Sequence, residues 1–187
     1  MKTKHELKEL LIDDARKYIG EEAFFCRKRI QLQITHSAYR YTCLLRRATY
    51  YQSKNKLYYG LLRMRVLRLS IKYGYQIGVG ATIGGGLYLG HRGTIIINKK
   101  VTMGNNISLS PGVTVGQENR GKRQGTPTFG NKIWIGTNAV VVGKIKIGDD
   151  VLIAPNAYVN FDVPSSSVVM GNPAKIIANV EATKGYL

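Results

Sequence analysis

Apolar side chains recur every six residues between positions 79 and 163. In a first series an aliphatic or aromatic residue is usually followed by a small one, and a second apolar series runs four residues behind it. The first series comprises Val79, Ile97, Met103, Leu109, Val115, Phe129, Ile135, Ile147, Ile153 and Val159. The second comprises Ile83, Leu89, Ile95, Val101, Ile107, Val113, Ile133, Ala139, Ile145, Val151, Ala157 and Val163. A short fixed period of this kind indicates stacked, nearly identical structural units.

Each six-residue unit has two apolar positions, which predicts a short flat strand followed by a corner. Three strands then complete one coil of a triangular prism. The small residue lies where the backbone turns sharply and leaves no room for a side chain. We therefore predict a mainly β fold over residues 75–178, a left-handed parallel β-helix of the hexapeptide-repeat type.

Two departures from the repeat point to function. At position 91 the pattern calls for an aliphatic residue, and the chain has His91 instead. Between Val115 and Phe129 the spacing is 14 residues, so eight extra residues must leave the prism as a loop. This segment, residues 117–128, is polar, basic and rich in glycine, as an exposed loop should be.

The residues before the prism have helical periodicity. The spacing predicts a first helix that ends at Gly20, a second over Ile34–Tyr51 and a third over Asn55–Tyr73. We predict an α-helical N-terminal domain over residues 1–74, and a C-terminal tail over residues 179–187 after the β-helix.

The third predicted helix has an apolar face, with Arg65, Arg68 and Lys72 on the other side. The face comprises Leu57, Leu61, Met64, Leu67 and Ile71. Two interpretations remain open for these helices. They cap the open end of the prism and help to trimerise it, or their basic and aromatic side chains rest on a membrane surface.

The net charge is +17, from 28 Lys and Arg against 11 Asp and Glu, and residues 23–117 contain no acidic side chain. Such a surface either attracts polyanions (phosphates, acidic glycans, anionic lipid or nucleic acid) or is simply a solvated basic face, and we expect no specific nucleic-acid partner. The N-terminus lacks an apolar signal core, and no uncharged run approaches the ~20 residues of a spanning helix. We therefore expect a cytoplasmic protein, either free or peripheral at the inner face of the membrane.

His91 is the strongest candidate for chemistry among the three histidines. A histidine at an apolar position needs a hydrogen-bond partner, but Gly90, Arg92 and Gly93 surround this one with open or charged space. An imidazole with an ordinary pKa near ~6.5 can take the proton of a hydroxyl that attacks a thioester, and such general-base help contributes ~10²–10⁴-fold. We expect His36 to be structural, and no Cys/His cluster suggests a metal site.

Several stretches resemble the serine acetyltransferase branch of the hexapeptide acyltransferases. They are residues 74–78, 83–91, 112–116, 133–139, 162–164 and 171–176. The resemblance implies a homotrimer with active sites between neighbouring prisms, acetyl-CoA as the donor, and direct transfer without an acyl-enzyme. It implies that His91 is the general base and that Lys175 lies near the nucleotide end of the donor. The residues that it implies along the pantetheine arm are Gly116, Gly136, Thr137, Ala154 and Pro155.

The chain departs from that branch around the acceptor. The serine enzymes carry an Asp immediately before the base, where this chain has Gly90, and an Arg–His pair in the loop, which falls at Gly125 and Thr126. The groups that would hold the ammonium and carboxylate of serine are therefore missing.

A further departure concerns the orientation of the base. The Asp that orients the base in the serine enzymes falls at Gln76, whose amide oxygen is our candidate for holding the second nitrogen of His91. A backbone carbonyl and Glu118 of a neighbouring subunit are the alternatives. A neutral acceptor fixes the tautomer but stabilises the imidazolium less than a carboxylate would.

These departures favour the serine-acetyltransferase-like O-acetyltransferases of capsule, exopolysaccharide or other surface glycans. We predict acetyl transfer to a hydroxyl of a sugar or polysaccharide precursor, either free or lipid-linked. Arg92 is a candidate for acceptor binding, whereas Arg120 and Arg123 either clamp CoA phosphates or an acidic sugar, or are merely solvated. The alternatives are serine O-acetyltransferase and a non-catalytic scaffold that binds polyanions.

Overall fold

The computed structural model of the chain describes residues 3–187, which begin with helices. Their bounds are α1 Lys4–Ile19, α2 Cys26–Thr35, α3 Ser37–Tyr51 and α4 Lys56–Tyr73, with a 3₁₀ helix at Gly20–Phe24 after α1. Thr3 is the N-cap of α1, and its hydroxyl accepts a hydrogen bond from the Glu6 N–H at 3.0 Å. Asn55 is the N-cap of α4, and its side chain accepts a hydrogen bond from the Tyr58 N–H at 2.9 Å. Gly74, at a φ of 84°, ends α4 in the left-handed conformation that glycine adopts most easily.

The predicted first and third helices agree with α1 and α4, but the second prediction was wrong at its start. The predicted Ile34–Tyr51 helix begins at Ser37, because His36 is extended and separates it from α2. The sequence did not predict α2. This ten-residue helix buries Leu32 alone, so it has almost no apolar periodicity.

Short strands follow from residue 75 onward. Their bounds are β1 Tyr75–Ile77, β2 Thr82–Ile83, β3 Leu87–Leu89, β4 Ile95–Ile97, β5 Thr102–Met103, β6 Ile107–Leu109, β7 Thr114–Gly116, β8 Thr128–Phe129, β9 Ile133–Ile135, β10 Val140–Val142, β11 Lys146–Ile147, β12 Val151–Ile153, β13 Tyr158–Val159, β14 Ser167–Gly171 and β15 Ala174–Ala178. In most of them buried and less buried positions alternate, because successive side chains of a strand point to opposite faces.

Up to β13, every third strand stacks on the same face of a three-sided prism. Face 1 has the order β1-β4-β7-β10-β13, face 2 the order β2-β5-β8-β11, and face 3 the order β3-β6-β9-β12-β14-β15. The neighbours within each face are parallel, except for the antiparallel pair β14–β15. The predicted left-handed parallel β-helix with an N-terminal helical region is therefore confirmed, at about five turns.

The helices cover the first coil and share its core. Tyr41 and Leu45 of α3 and Leu62 of α4 belong to the same buried apolar cluster as Leu87 and Ile95 of the prism. The Tyr41 hydroxyl also accepts the Ile77 N–H at 3.1 Å. The division at residue 74 into two domains stays a prediction, because apolar packing is continuous across it.

Helix α4 is apolar on two faces, and the face predicted from the sequence is not the buried one. Leu62, Val66 and Tyr73 are buried against the core. The other apolar face is exposed, with exposed fractions of 48% to 79%. It comprises Leu57, Leu61, Met64, Leu67 and Ile71, which we name the α4 stripe. At about 100° per residue, Arg68 lies within this stripe and Arg65 beside it, so the basic residues adjoin the stripe rather than oppose it.

The chain ends in a hairpin and a tail that pack on the last coils. Strands β14 and β15 pair antiparallel on either side of a cis Asn172–Pro173 bond. In the tail, residues 182 and 183 donate hydrogen bonds to the carboxylate of Asp150, and the Tyr186 ring lies 4.7 Å from the Trp134 ring. Among the described residues 3–187, no helix is both long and apolar enough to cross a membrane.

Candidate active site

The corner that carries His91 is longer than the corners stacked on it. Strand β3 pairs with β6 at an offset of 20 residues, whereas β10 pairs with β13 at an offset of 18. Five residues separate the buried Leu89 and Ile95, whereas three separate the buried Leu109 and Val113. The expectation that His91 occupies an aliphatic slot was therefore wrong. The corner bulges outward by two residues, and His91 lies exposed in that bulge.

The backbone of His91 is held while its ring is free. The buried Tyr75 donates its hydroxyl hydrogen to the carbonyl of His91 at 3.2 Å. Burial raises the pKa of the Tyr75 phenol, which keeps it protonated as a donor. Within residues 3–187 the imidazole itself makes no hydrogen bond, so both ring nitrogens are available to ligands.

Gln76 lies on the outer surface of β1, on the side of the strand opposite the buried Tyr75. The strand pairs in register with β4, which directly follows the corner of His91. No hydrogen bond joins the Gln76 amide to the His91 ring within the described part of the chain. The role of Gln76 in orienting the base therefore stays a prediction.

A cavity of about 380 Å³ adjoins His91. Its walls come from the end of α1, the junction of α2 and α3, and the corner after β3. Besides His91 and Arg92, the cavity is lined by Lys17, His36 and Ser37, which no sequence pattern connects with the base. Residues 17 and 36 precede His91 by 74 and 55 positions, so nothing in a local pattern could have associated them with it.

His36 is placed by its neighbours at the wall of this cavity. The Thr35 hydroxyl lies 2.8 Å from Nδ1 of His36, and the Tyr18 ring packs edge-on against the imidazole at 5.8 Å. Tyr18 packs in turn on Tyr88 of β3, with ring centres 4.8 Å apart. These contacts agree with the structural role expected of His36, and they hold it in the wall of the cavity that His91 also lines.

A second, larger cavity lies elsewhere. It has a volume of about 530 Å³ and is bounded by α1, α3 and the β1–β2 corner. None of the predicted site residues lines it, so its size alone does not make it the site.

The edge between faces 3 and 1 carries His91 together with four of the predicted donor-binding residues. Gly136 and Thr137 follow β9, and Ala154 and Pro155 follow β12, so both pairs stack at the corner type that His91 occupies. Successive coils are about 4.8 Å apart, which puts Pro155 roughly 14 Å from His91 along the prism. A Cβ at Gly136 would lie 2.6 Å from the Pro155 nitrogen, so the coils stack too closely here for a side chain at position 136. The N–H of the exposed Thr137 has no acceptor within residues 3–187.

The remaining two donor-binding candidates lie apart from this group. Gly116 ends β7 at the edge between faces 1 and 2. Lys175 is exposed on β15, the outermost strand of face 3 and five strands from β3. At about 4.8 Å per strand, that separation is roughly 24 Å. A donor bound in an extended conformation, with its thioester at His91, would reach Lys175 only with its nucleotide end.

The inserted loop is a compact hairpin folded on the prism rather than a free arm. Glu118 and Gly125 exchange backbone hydrogen bonds at 2.9 and 3.0 Å, and the Lys144 N–H donates to the Arg123 carbonyl at 2.8 Å. The side chains of Arg120 and Arg123 are exposed. The hairpin leaves the prism after β7, at the edge between faces 1 and 2, so a single chain does not bring these arginines to the corner of His91.

Metal coordination has no candidate in the part of the chain that the structure describes. Among residues 3–187, no group of three His, Cys, Asp or Glu side chains is arranged to hold a metal ion.

No family model matches the sequence. The curated relatives include serine acetyltransferases. The enzyme of Helicobacter pylori (strain ATCC 700392 / 26695) is 38% identical over 104 residues, which are 56% of this chain and 61% of the relative. The enzyme of Mycobacterium tuberculosis is 37% identical over 114 residues, which are 60% of this chain and 49% of the relative. The chain thus spans about half to three fifths of the length of these two relatives.

Solved structures extend the similarity over nearly the whole chain. Serine acetyltransferase from Neisseria gonorrhoeae superposes with a TM-score of 0.76 at 25% identity, covering 98% of this chain and 70% of that one. The Brucella abortus serine acetyltransferase solved with coenzyme A gives 0.78 at 22% identity, covering 95% and 70%, and this likeness concerns the fold.

The chain has the left-handed parallel β-helix fold of the hexapeptide-repeat class, which the solved structures named above share. Within that class, the proteins named above to which the chain is similar are serine acetyltransferases. The capsule and exopolysaccharide branch that the sequence analysis favoured finds no support in them.

Proposed function

We propose that the chain transfers an acetyl group from acetyl-CoA to the hydroxyl of an acceptor. The observation that carries the proposal is the exposed imidazole of His91 at one end of an edge where the coils stack too closely for a side chain at Gly136. The fold is shared with serine acetyltransferases, one of which was solved with coenzyme A.

His91 acts as the general base in this proposal. Its neutral imidazole takes the proton of the acceptor hydroxyl, whose oxygen then attacks the carbonyl carbon of the thioester. The carbon–sulfur bond breaks, and the imidazolium returns the proton to the leaving sulfur. The products are an acetyl ester and the free thiol of CoA, and no acyl-enzyme forms.

The donor lies along the edge between faces 3 and 1 in this proposal. Gly136, Thr137, Ala154 and Pro155 contact the pantetheine arm through backbone groups, and Lys175 contacts phosphate at the nucleotide end. We propose a homotrimer in which the edge between faces 1 and 2 of one chain meets this edge of the next. That arrangement is what would bring Gly116, Arg120 and Arg123 to the donor.

The acceptor has two candidates. The comparisons favour serine, because the similar proteins named above are serine acetyltransferases. A hydroxyl of a sugar, free or lipid-linked, is the second. It is favoured by a specific observation, because no Asp or Glu lines the cavity beside His91 to pair with the ammonium of serine.

Release of free thiol from acetyl-CoA, followed with L-serine and with sugar acceptors, tests the proposal. We expect His91→Ala to lower kcat by ~10²–10⁴-fold while the oligomer measured by light scattering stays unchanged. His5→Ala is the control, since the His5 side chain is 83% exposed and lies outside the cavity. Full activity of His91→Ala would refute the assignment of the base, and no thiol release with any hydroxyl acceptor would refute acetyl transfer itself.

We also propose that the α4 stripe docks the protein on an anionic membrane surface. Its five apolar side chains are exposed and are bordered by Arg63, Arg65 and Lys72. Because residues 23–117 contain no Asp or Glu, two copies meeting through this stripe would bring like charges together. Anionic headgroups would instead complement the charges while the apolar side chains enter the interface.

Co-sedimentation with vesicles tests the docking proposal. We expect binding to phosphatidylcholine vesicles that contain phosphatidylglycerol, no binding to phosphatidylcholine alone, and release at high salt. The variant Leu61→Ser/Ile71→Ser should lose binding, whereas Val180→Ser, at a tail residue that is 84% exposed, should retain it. Loss of the oligomer in the double variant, without vesicle binding by the unmodified protein, would assign the stripe to a second copy instead.

A further inference from the structure

The cavity beside His91 is lined by cations and imidazoles and by no acidic side chain. Lys17 and Arg92 supply two positive charges, and His36 and His91 supply two imidazoles. None of its twelve lining residues is Asp or Glu. The potential inside it is therefore positive, and it favours an anion over a cation.

Arg92 is held in place without using its terminal nitrogens. Its Nε donates to the Ser37 hydroxyl at 3.1 Å, and its guanidinium carbon lies 5.2 Å from the centre of the Tyr73 ring. Within residues 3–187 the two Nη groups make no hydrogen bond. An oriented guanidinium with free terminal donors is well suited to a carboxylate or a phosphate.

Lys17 is half-buried and has no ion pair or hydrogen bond within the described residues. Asp13 on the same helix forms an ion pair with Arg16 at 3.0 Å and makes none with Lys17. Burial lowers the pKa of the Lys17 ammonium. An anion in the cavity would offset the cost of keeping this charge partly buried.

From these observations, and resting on the acetyl transfer proposed above, we infer that the cavity binds the carboxylate or phosphate of a hydroxyl-bearing acceptor. Arg92 and Lys17 contact the anionic group and thereby hold the acceptor hydroxyl near the ring of His91. An acceptor that carries an ammonium group is disfavoured, because that group would lose hydration beside two cations and find no carboxylate there.

Matched acceptors measure this preference in the thiol-release assay. D-glycerate carries a hydroxyl where L-serine carries its ammonium, glucuronate carries a carboxylate that glucose lacks, and glucose 6-phosphate supplies a phosphate. We expect kcat/KM to be about 10- to 100-fold higher for the anionic sugar than for glucose, since a charged hydrogen-bonded group contributes on that scale. We expect glycerate to exceed serine. Comparing kcat/KM for glucuronate and for glucose 6-phosphate shows whether the cavity prefers a carboxylate or a phosphate.

Side-chain variants tie the preference to the cavity. Arg92→Gln and Lys17→Gln should bring the ratio of glucuronate to glucose close to one. Lys8→Gln is the matched control from α1, because Lys8 is exposed and does not line this cavity, and it should keep the unmodified ratio. Equal rates for anionic and neutral acceptors in the unmodified protein, or an unchanged ratio in Arg92→Gln, would overturn the inference while leaving acetyl transfer intact.

A substitution at Gly90 can add a carboxylate to this cavity, which has none. A Cβ there would meet only ordinary contacts, 3.6 Å from the Leu109 carbonyl oxygen and 3.7 Å from the Tyr88 ring. Gly90→Asp should therefore fold and shift the ratio of serine to glycerate about tenfold or more toward serine, whereas Gly90→Asn should not. Serine preferred over glycerate by the unmodified protein, together with no effect of Gly90→Asp, would contradict the inference.

A binding measurement does not depend on turnover. Calorimetric titration of the unmodified protein with glucuronate should give heat of binding that disappears in Arg92→Gln, and glucose should give none. If no acceptor releases thiol but glucuronate binds, the anion site stands and the acetyl-transfer proposal fails. If thiol is released but glucuronate does not bind, the anion site fails instead.

Discussion

Arg46 and Asp14 form an ion pair that is buried between the helices and the first coil of the prism. Nε of Arg46 donates to Oδ2 and Nη2 donates to Oδ1, both at 3.0 Å, and the two side chains are 6% and 0% exposed. Arg46 also donates to the carbonyls of residues 83 and 84, and Oδ1 of Asp14 accepts the Leu87 N–H at 2.8 Å. The pair thus joins α1, α3 and the coil that carries the candidate base.

Arg46→Met should destabilise the protein strongly, because it leaves the carboxylate of Asp14 buried without its partner. We expect a loss of about 3–5 kcal/mol in the free energy of unfolding, measured by urea denaturation. The double variant Asp14→Leu/Arg46→Met removes both charges and should recover part of the loss, but not all of it, because the carbonyls of residues 83 and 84 and the Leu87 N–H lose these partners. A loss below about 1 kcal/mol in Arg46→Met would contradict a structural role for the pair.

Two glycines of the predicted donor-binding set should respond differently to alanine. A Cβ at Gly136 would lie 2.6 Å from the backbone nitrogen of Pro155, which cannot move without opening the coil. A Cβ at Gly116 would first meet a methyl group of Val142 at 3.4 Å. We expect Gly136→Ala to cost about 1–3 kcal/mol and Gly116→Ala less than about 1 kcal/mol in thermal unfolding. Equal costs would mean that close stacking at this edge is not what selects glycine at position 136.

The β-helix was predictable because its rule is local. Each strand must bury two alternate side chains, so residues such as Ile107 and Leu109 reveal their unit without reference to the rest of the chain. The eight-residue insertion after Val115 was equally visible, because it changes the spacing of the repeat. What the spacing could not show was that the insertion folds back as a hairpin held by the Arg123 carbonyl.

The candidate site was predictable only in part. His91 was found because it interrupts the apolar series, although the reason was a two-residue bulge rather than an occupied slot. Lys17 and His36 were missed because helices place them beside the prism through contacts that no local period encodes. On α4 two apolar faces compete, and periodicity alone cannot say whether Leu62 or Leu61 faces the core.

Asp150 should make the packing of the C-terminal tail dependent on pH. Its Oδ1 accepts from the hydroxyl and the N–H of Thr183 at 2.5 and 3.2 Å, and its Oδ2 accepts from the Ala182 N–H at 3.0 Å. These hydrogen bonds hold the pKa of Asp150 below its ordinary value. The stabilisation is therefore complete above the ordinary pKa of ~3.9 and is lost as the pH falls through the lower folded value.

Hydrogen exchange of the Ala182 and Thr183 amides, expressed as protection factors, measures this loss. Protection should fall as the pH drops below about 4 and should be lower and independent of pH in Asp150→Asn. Asparagine suits the position, because residue 150 has a φ of 53° and Asn tolerates the left-handed region. Unchanged protection across this range in the unmodified protein would contradict the assignment.

The pH dependence of catalysis tests whether Gln76 orients His91. A neutral amide beside the ring stabilises the protonated imidazole little, whereas a carboxylate in its place would favour the charged form. Since the base must be neutral to act, Gln76→Glu should move the acid limb of the kcat/KM profile to higher pH by about 1 unit or more. Thr114→Glu is the matched control, because Thr114 lies on the same outer face two strands further along, roughly 10 Å away, and it should shift the limb much less. An equal shift in both variants, or none in Gln76→Glu, would contradict the predicted role of Gln76 in orienting the base.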